Sequence, residues 1–201
     1  MAKKKKRNPT GSRAHRGLLS RSAVPLRPSA PRRKGRALGG GPPGSELSFE
    51  MDPQQQTNWC WAAVSTSTAS FYDSTNAWSQ CKLACDQLNM GTCCSNGGSG
   101  ACDQPWYLDK ALARVGHFQS MSGGAATFAT VQATIDAGKP LGVRIAWASG
   151  GAHFVAVRGY VNDQQMLDVE DPFYGPSQIP YATFVSTYLG SGSWTHSYFT
   201  C

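Results

Sequence analysis

The sequence of 201 residues lacks any apolar run close to the roughly 18 residues that span a membrane, so we expect no transmembrane segment. It also lacks a recognisable signal peptide, because the nearest apolar stretch, at residues 17–19, is far shorter than the roughly 7–15 residues required. No internal repeat is present. The chain is therefore expected to hold one globular domain of ordinary size.

The first 46 residues contain no aromatic side chain and only one acid, Glu46, although 13 of the 19 Lys and Arg residues lie there. Such a segment cannot bury enough apolar surface to offset its ordering entropy, so we predict a disordered basic arm over residues 1–46. Its basic clusters could bind nucleic acid or an anionic membrane, or act as an import signal. A leader, a misassigned start or a solvated tail is the simpler interpretation, and we expect no obligatory nucleic-acid partner.

Residues 47–201 hold the other six basic residues and 11 acidic ones, and they are predicted to form the folded domain. Apolar residues at helical spacing predict helices over residues 59–72, 104–116 and 129–137. Asp103 is the predicted N-cap of the second helix, with Pro105 in its first turn and Gly116 as its stop. Strand patterns follow at residues 141–147, 153–161, 165–171 and 194–199, with a short helix near residues 182–189. Helices first and an antiparallel sheet second predict an α+β fold.

Three residues, in chain order, could carry nucleophilic chemistry. Cys60 opens the first predicted helix, where a helix dipole and a nearby imidazolium favour a thiolate. His153 starts a strand after a Gly-Gly turn, and Asp171 ends the next strand, where it could orient the histidine through its second ring nitrogen. Singly, each has a commoner explanation: a disulfide or core cysteine, a structural histidine, a strand-ending Asp-Pro turn. Their order and context together favour cysteine catalysis.

The stretch QQQTNWCWA resembles the active-site segment of papain-family cysteine peptidases, in which a Gln lies six residues before a Cys that opens the central helix. The motifs QPWYLDKAL, GGAHFVAVRGY and VEDP extend the resemblance over residues 50–185 to compact bacterial papain-like peptidases, among them secreted proteins and avirulence-type effector proteases. The resemblance implies a nucleophile, a general base and acid, a residue that orients the base, and an oxyanion donor: Cys60, His153, Asp171 and Gln54, with Gln55 as the fallback donor. Papain has Asn where this chain has Asp171.

By the same resemblance, the chain is a cysteine endopeptidase that hydrolyses peptide bonds through a thioester acyl-enzyme. The implied partner is a protein or peptide substrate; no metal or other cofactor is required, and we expect a monomer. Two alternatives stay open. The same triad could perform acyl transfer, deamidation or cell-wall peptide cleavage, or an idle papain fold could serve a binding protein that uses the basic arm. The intact set of Cys60, His153 and Asp171 argues against the idle fold.

Six further cysteines remain, five of them within 22 residues rich in Gly, Asn and Ser, and we predict a disulfide-stapled segment there. By similarity to the related bacterial proteins, four are expected to pair among themselves, namely Cys81, Cys93, Cys94 and Cys102. That leaves Cys85 to pair with Cys201. A zinc site built on the same cluster is the alternative, although no pair of CxxC motifs supports it. Disulfides imply an oxidising compartment, so we expect a secreted protein, or one delivered into a host cell, despite the missing signal.

Two tryptophans, Trp59 and Trp61, flank the candidate nucleophile. We expect them to pack beneath the helix rather than to form a substrate wall. His117 and His196 have no motif around them and are expected to be structural.

Overall fold

The computed structural model describes residues 44–201, so the predicted arm lies outside the described residues except for its last three. In the described part of the chain, helices and strands follow one another in mixed order. The helices are α1 (Cys60–Tyr72), α2 (Gln80–Gln87), α3 (Leu108–Arg114), α4 (Phe128–Asp136) and α5 (Tyr181–Thr187). The strands are β1 (Gly44–Glu46), β2 (Ser120–Gly123), β3 (Leu141–Trp147), β4 (Ala152–Val161), β5 (Met166–Glu170), β6 (Ser177–Pro180) and β7 (Gly192–Phe199).

The strands form one antiparallel sheet in the order β2-β7-β3-β4-β5-β6, and β1 pairs with the end of β4. The buried side chains of β3 and of the centre of β4 include Leu141, Val143, Ile145, Val155 and Val157, and the β-branched Val and Ile side chains among them suit a strand inside a sheet. The register pairs Ile145 of β3 with His153 of β4, while Ala156 of β4 pairs with Glu170 of β5. His153 lies near the start of β4 and Asp171 just after the end of β5, so the two residues lie at the same end of these two neighbouring antiparallel strands.

Two clusters of buried apolar side chains form the core. The first cluster joins α1, α2 and α3 and includes both tryptophans beside Cys60. The second lies against the sheet and is built mainly from Val, Ile, Leu and aromatic side chains. We call residues 47–118 the helical half and residues 119–201 the sheet half. Mixed helices and an antiparallel sheet confirm the predicted α+β class.

The predicted helices and strands are present, most of them within one or two residues of the expected bounds. The predicted start of the second helix is wrong. Helix α3 begins at Leu108, and Asp103 does not cap it; its Oδ1 instead accepts a hydrogen bond from the backbone N–H of Asn58, at 2.7 Å. A carboxylate already bound to a distant loop is not available to a helix end. Gly116 does lie just past the helix, at a φ of 90° that favours glycine.

Four elements were not predicted: α2, β1, β2 and β6. Helix α2 carries a recognisable signal, since the side chain of Ser79 accepts from the N–H of Lys82 as an N-cap. Strand β1 comprises three residues that the sequence assigns to the arm. Its pairing is made by backbone, and Gly44 lies so close to β4 that a Cβ atom would come within 2.4 Å of the Tyr160 carbonyl oxygen.

Two disulfides staple the cysteine-rich segment, Cys81 to Cys94 and Cys93 to Cys102. The expectation that these four cysteines pair among themselves is confirmed, and their bonding removes the thiolates that a zinc site would need. The expected bond between Cys85 and Cys201 is wrong, because both are free thiols. Cys85 packs against the helical core, whereas the Cys201 carbonyl is held at His117 by a 2.7 Å hydrogen bond.

Within residues 44–201, no helix has both the length and the apolar character needed to cross a membrane.

Candidate active site

Helix α1 presents Cys60 at its first turn, as the sequence predicts. The helix is nearly all buried, which its small residues permit, and its buried hydroxyls bond back to the preceding turn: Thr66 to the Ala62 carbonyl at 2.9 Å and Thr68 to the Val64 carbonyl at 2.7 Å. Cys60 is a free thiol, 8% exposed, that lines an open cleft.

His153 lies across the cleft from α1 and is joined to Asp171. Its Nε2 donates to Asp171 Oδ1 at 2.8 Å, and the Asp171 side chain is fully buried. Cys60 lines the same cleft, and its side chain is among the groups that raise the pKa of this imidazole. Because Nε2 is used by Asp171, Nδ1 is the ring nitrogen that remains for the thiol. The three residues that the sequence places in order are thus brought together.

The Asp171 carboxylate is fixed by four donors. Besides His153, the backbone N–H groups of Phe173 and Tyr174 donate to Oδ1 at 2.7 and 2.9 Å, and the Tyr188 hydroxyl donates to Oδ2 at 2.8 Å. Tyr188 is 1% exposed and precedes β7. No sequence motif marks this hydroxyl, since Asp171 and Tyr188 lie far apart along the chain and meet only through the fold.

Trp147, the last residue of β3, covers the same network. Its ring stacks with the rings of His153 and Tyr188, each at a centroid distance of 6.2 Å and an interplanar angle of 22°. An aromatic cover excludes water from a hydrogen bond between charged groups and strengthens it. The tight turn between β3 and β4 brings this tryptophan close to His153. Knowing how β3 and β4 pair residue by residue would therefore have been enough to predict the contact.

The charges of the network reinforce one another. Burial lowers the pKa of His153, but the hydrogen bonds and negative charges of Asp171 and Cys60 outweigh it and raise the pKa to about 9. Burial also raises the pKa of Asp171, and the bond and charge of His153 outweigh it, so that this pKa lies below its ordinary value. Burial and the adjacent Asp171 charge raise the pKa of Tyr188, which keeps it a donor. The arrangement therefore favours a protonated His153 imidazole beside an ionised Asp171 carboxylate.

Gln54 also lines the cleft, whereas the Gln55 side chain is exposed and does not. The Gln54 Nε2 donates to the carbonyls of Gln56 and Thr57, at 2.8 and 2.7 Å. No group among the described residues donates to its buried Oε1. Of the two glutamines that the sequence offers as an oxyanion donor, the geometry favours Gln54.

The cleft has a volume of about 1050 Å³ and runs between the start of α1 and the sheet. Its lining includes three exposed aromatic side chains, Tyr107, Phe173 and Tyr174, together with Arg144 and His196. His196 lines the cleft, and the expectation that it is structural stays a prediction. His117 lies elsewhere, stacked on Tyr72 at 4.6 Å.

The two tryptophans that flank Cys60 pack as expected, with exposures of 1% and 0%. Their ring N–H groups are also used. Trp59 donates to the Cys102 carbonyl at 2.7 Å, and Trp61 donates to the Gln104 carbonyl at 3.0 Å. Trp61 in addition borders the cleft. In the described part of the chain, no group of three or more acidic, His or Cys side chains is arranged to hold a metal ion.

A scan against protein-family models matches residues 46–197 to the Peptidase_C39 like family. The chain belongs to that family. It is a papain-like cysteine peptidase, as the resemblance of its motifs implies. A search of the curated proteins found no match.

The fold of this peptidase is similar to that of solved cysteine peptidases. The peptidase domain of ComA from Streptococcus, a bi-functional ABC transporter involved in a quorum-sensing pathway, aligns with a TM-score of 0.50 and 19% identity, over 76% of this chain and 98% of that domain. Xylellain, a cysteine protease from Xylella fastidiosa, aligns with a TM-score of 0.50 and 11% identity, over 81% and 87%. The Pseudomonas avirulence protein AvrPphB aligns with a TM-score of 0.38 and 11% identity, over 76% and 97%.

Proposed function

We propose that this chain is an endopeptidase in which Cys60 is the nucleophile, His153 the general base and acid, and Asp171 the residue that orients His153. One observation carries the proposal: His153 is hydrogen-bonded through Nε2 to the buried Asp171 and faces Cys60 in an open cleft. A nucleophile, a base and a group that orients the base are the parts that covalent catalysis requires.

The first half of the reaction forms a thioester. The Cys60 thiolate attacks the scissile carbonyl carbon, and the π electrons of the C=O bond move to oxygen. The backbone N–H of Cys60 and the Gln54 amide donate to that oxyanion, for which Gln54 exchanges one of its two carbonyl partners. When the tetrahedral intermediate collapses, the C–N bond breaks and the His153 imidazolium protonates the leaving amine.

The second half hydrolyses the thioester. His153, now neutral, takes a proton from water, and the resulting hydroxide adds to the thioester carbon. Collapse breaks the C–S bond, releases the carboxylic acid product and restores the thiolate with its imidazolium. The raised pKa of His153, about 9, is consistent with a ring that carries its proton at neutral pH between turnovers.

The substrate we propose is an extended peptide. The cleft is open, and its lining combines aromatic and apolar side chains with polar ones, which suits a peptide that offers both apolar side chains and backbone hydrogen-bonding groups. We further propose that the protein works outside the cytoplasm, or inside a host cell after delivery, since its two disulfides are compatible with an oxidising compartment.

The test is a comparison of wild type with Cys60→Ala on a diverse peptide library, with products identified by mass spectrometry. Cys85→Ser is the matched control, because it removes a free thiol outside the cleft. We expect cleavage by wild type and by Cys85→Ser and none by Cys60→Ala, with the epoxide inhibitor E-64 labelling Cys60 alone. If wild type cleaves nothing that Cys60→Ala leaves intact, the endopeptidase proposal fails. Acyl-transfer or deamidation products in place of cleavage would contradict the endopeptidase proposal and show that the triad catalyses one of those reactions instead.

A further inference from the structure

The loop that precedes the nucleophile, residues 53–59, is held by the cysteine-rich segment. We call residues 53–59 the oxyanion loop and residues 80–104 the stapled segment. Gln80, the first residue of α2, is 3% exposed and reaches the loop with both ends of its amide. Its Nε2 donates to the Pro53 carbonyl at 2.9 Å, and its Oε1 accepts from the Gln55 N–H at 2.9 Å. The backbone on both sides of Gln54 is therefore held by one side chain.

The backbone of Gln54 itself is held from the opposite side. Its N–H donates to the Pro172 carbonyl at 2.9 Å, next to Asp171. The proposed oxyanion donor is thus fixed between α2 in the helical half and the residue that follows the proposed orienting carboxylate in the sheet half. A shift of Gln80 would move Gln54 relative to both Cys60 and His153.

The far end of the stapled segment holds the other end of the loop. Asp103 accepts from the Asn58 N–H through its side chain, at 2.7 Å, and from the Asn58 amide nitrogen through its carbonyl, at 3.0 Å. The neighbouring Cys102 carbonyl accepts from the Trp59 ring. Between these ends, the chain packs so closely that a Cβ atom on Gly97 would come within 3.0 Å of Trp59.

Each of these contacts adjoins a disulfide. Gln80 precedes Cys81, which is bonded to Cys94, and Asp103 follows Cys102, which is bonded to Cys93. The two bonds therefore fix the ends of the stapled segment that grip the oxyanion loop. Helix α2 has only eight residues, too few to hold its own position by helical propensity alone.

We propose that Gln80 is a positioning residue for catalysis: through the two hydrogen bonds to the oxyanion loop, and supported by the Cys81–Cys94 disulfide, it sets Gln54 at the oxyanion. This inference rests on the endopeptidase function proposed above. It assigns the stapled segment a role in the transition state rather than in stability alone, since donors aimed at an oxyanion must be placed within about 1 Å.

The first test replaces Gln80 by Met, which keeps the shape of the side chain and removes both hydrogen bonds. Because one oxyanion donor is worth roughly 10²–10³ in rate, we expect kcat to fall by about 10–100-fold and KM to stay within about threefold. Gln80→Glu retains the acceptor for Gln55 and loses the donor to Pro53, so an intermediate kcat is expected. Gln178→Met makes the same substitution at an exposed glutamine on β6 and removes its hydrogen bond to Asp168, so it is the control and should match wild type.

Two further readouts separate positioning from general damage. Alkylation of Cys60 by iodoacetamide needs the thiolate but no oxyanion donor, so Gln80→Met should react within about threefold of wild type. Amide hydrogen exchange of residues 53–59 should be faster in Gln80→Met and unchanged in Gln178→Met. Exchange is measured without substrate, so it tests the hold on the loop even if wild type fails to cleave peptides. Wild-type kcat in Gln80→Met, unchanged exchange in the loop, or a parallel fall in kcat and alkylation would each overturn the inference.

The second test removes the Cys81–Cys94 bond by the double substitution Cys81→Ser and Cys94→Ser. Cys85→Ser, one turn further along the same helix and not bonded to another cysteine, is the matched control. The double variant should lose kcat in the same direction as Gln80→Met, with faster exchange in the oxyanion loop, while Cys85→Ser should behave as wild type. If the double variant does not fold, the Gln80 variants decide the question, because they keep both disulfides. A folded double variant with wild-type kcat contradicts a supporting role for the bond.

Discussion

The helical half and the sheet half position their residues of the candidate active site by different kinds of interaction. In the sheet half, His153 and the residue before Asp171 lie on paired strands whose register is fixed by backbone hydrogen bonds over a Val-, Ile- and Leu-rich core. In the helical half, Cys60 follows a loop that is held by side-chain hydrogen bonds and by a segment with two disulfides. Many backbone hydrogen bonds together hold a strand in its register, whereas only a few hydrogen bonds hold this loop in position. We therefore expect activity to survive core changes in the sheet half and to be sensitive to changes in the stapled segment.

The largest effect is expected at His153, the proposed base. His153→Gln removes the group that accepts and returns the proton, so kcat/KM should fall by at least about 10⁴-fold, as for other members of a catalytic triad. The same change leaves the buried Asp171 carboxylate without its charged partner, so the urea midpoint should fall as well. Steady-state hydrolysis and urea unfolding measure the two quantities. A variant that kept more than about one hundredth of the wild-type rate would show that His153 is not the base.

The next largest effect is expected at Asp171. Asp171→Asn removes the negative charge that helps to raise the pKa of His153 to about 9, so the imidazolium should lose its proton at a lower pH. The alkaline limb of the kcat/KM profile, near pH 9 in wild type, should move to lower pH, and the rate at neutral pH should fall by roughly 10²-fold. An unshifted alkaline limb would mean that another group sets it.

A paired measurement tests the contrast between the halves directly. The double substitution Cys93→Ser and Cys102→Ser opens a short loop and should cost about 3 kcal/mol of unfolding free energy. Leu141→Ala in the sheet core should cost about 2–5 kcal/mol. In fully folded protein, we expect kcat to fall about tenfold in the first variant, from a loop misplaced by a fraction of an ångström. It should stay near wild type in the second. Equal kcat values in the two variants would remove the proposed difference between the halves.

The smallest effect is expected at Tyr188. Tyr188→Phe removes one of the four donors to Asp171 and keeps the aromatic ring that stacks with Trp147. A hydrogen bond to a charged group contributes about 1.5–3 kcal/mol, and three other donors remain, so a fall in kcat/KM of about 3–10-fold is expected. The acidic limb of the pH profile should move to higher pH as the carboxylate becomes easier to protonate. A purely structural tyrosine would lower the melting temperature without moving that limb.

Much of this site could be predicted from local sequence. Cys60, His153 and Asp171 lie at element boundaries that periodicity and turn residues identify, and an antiparallel order of strands brings the last two to one edge. The four stapling cysteines were expected to pair among themselves from a resemblance, whereas the bond from Cys85 to Cys201 was inferred by elimination and is wrong. Elimination assumes that every cysteine has a partner, and nothing in the chemistry of a thiol requires it.

The parts that local sequence did not reveal depend on contacts between distant residues. Gln80, Tyr188 and Trp147 have no motif, and each acts on a residue from another element. Asp103 shows that a local motif can also mislead. Its side chain suits a helix cap, but it instead accepts a hydrogen bond from Asn58, 45 positions earlier in the chain, in the loop before Cys60. Propensity predicts what a side chain can do locally, and the fold decides which of its options is used.

Cys60 is proposed to form a covalent thioester with the acyl part of its substrate. The most direct measurement is acid-quenched intact mass and peptide mapping of wild type during turnover of an activated peptide ester, whose acylation is faster than the hydrolysis of its thioester. We expect one acyl adduct on Cys60, cleaved by neutral hydroxylamine and absent from Cys60→Ala, with Cys85 and Cys201 unmodified. Turnover with no adduct on Cys60, or with the adduct on another residue, would contradict it.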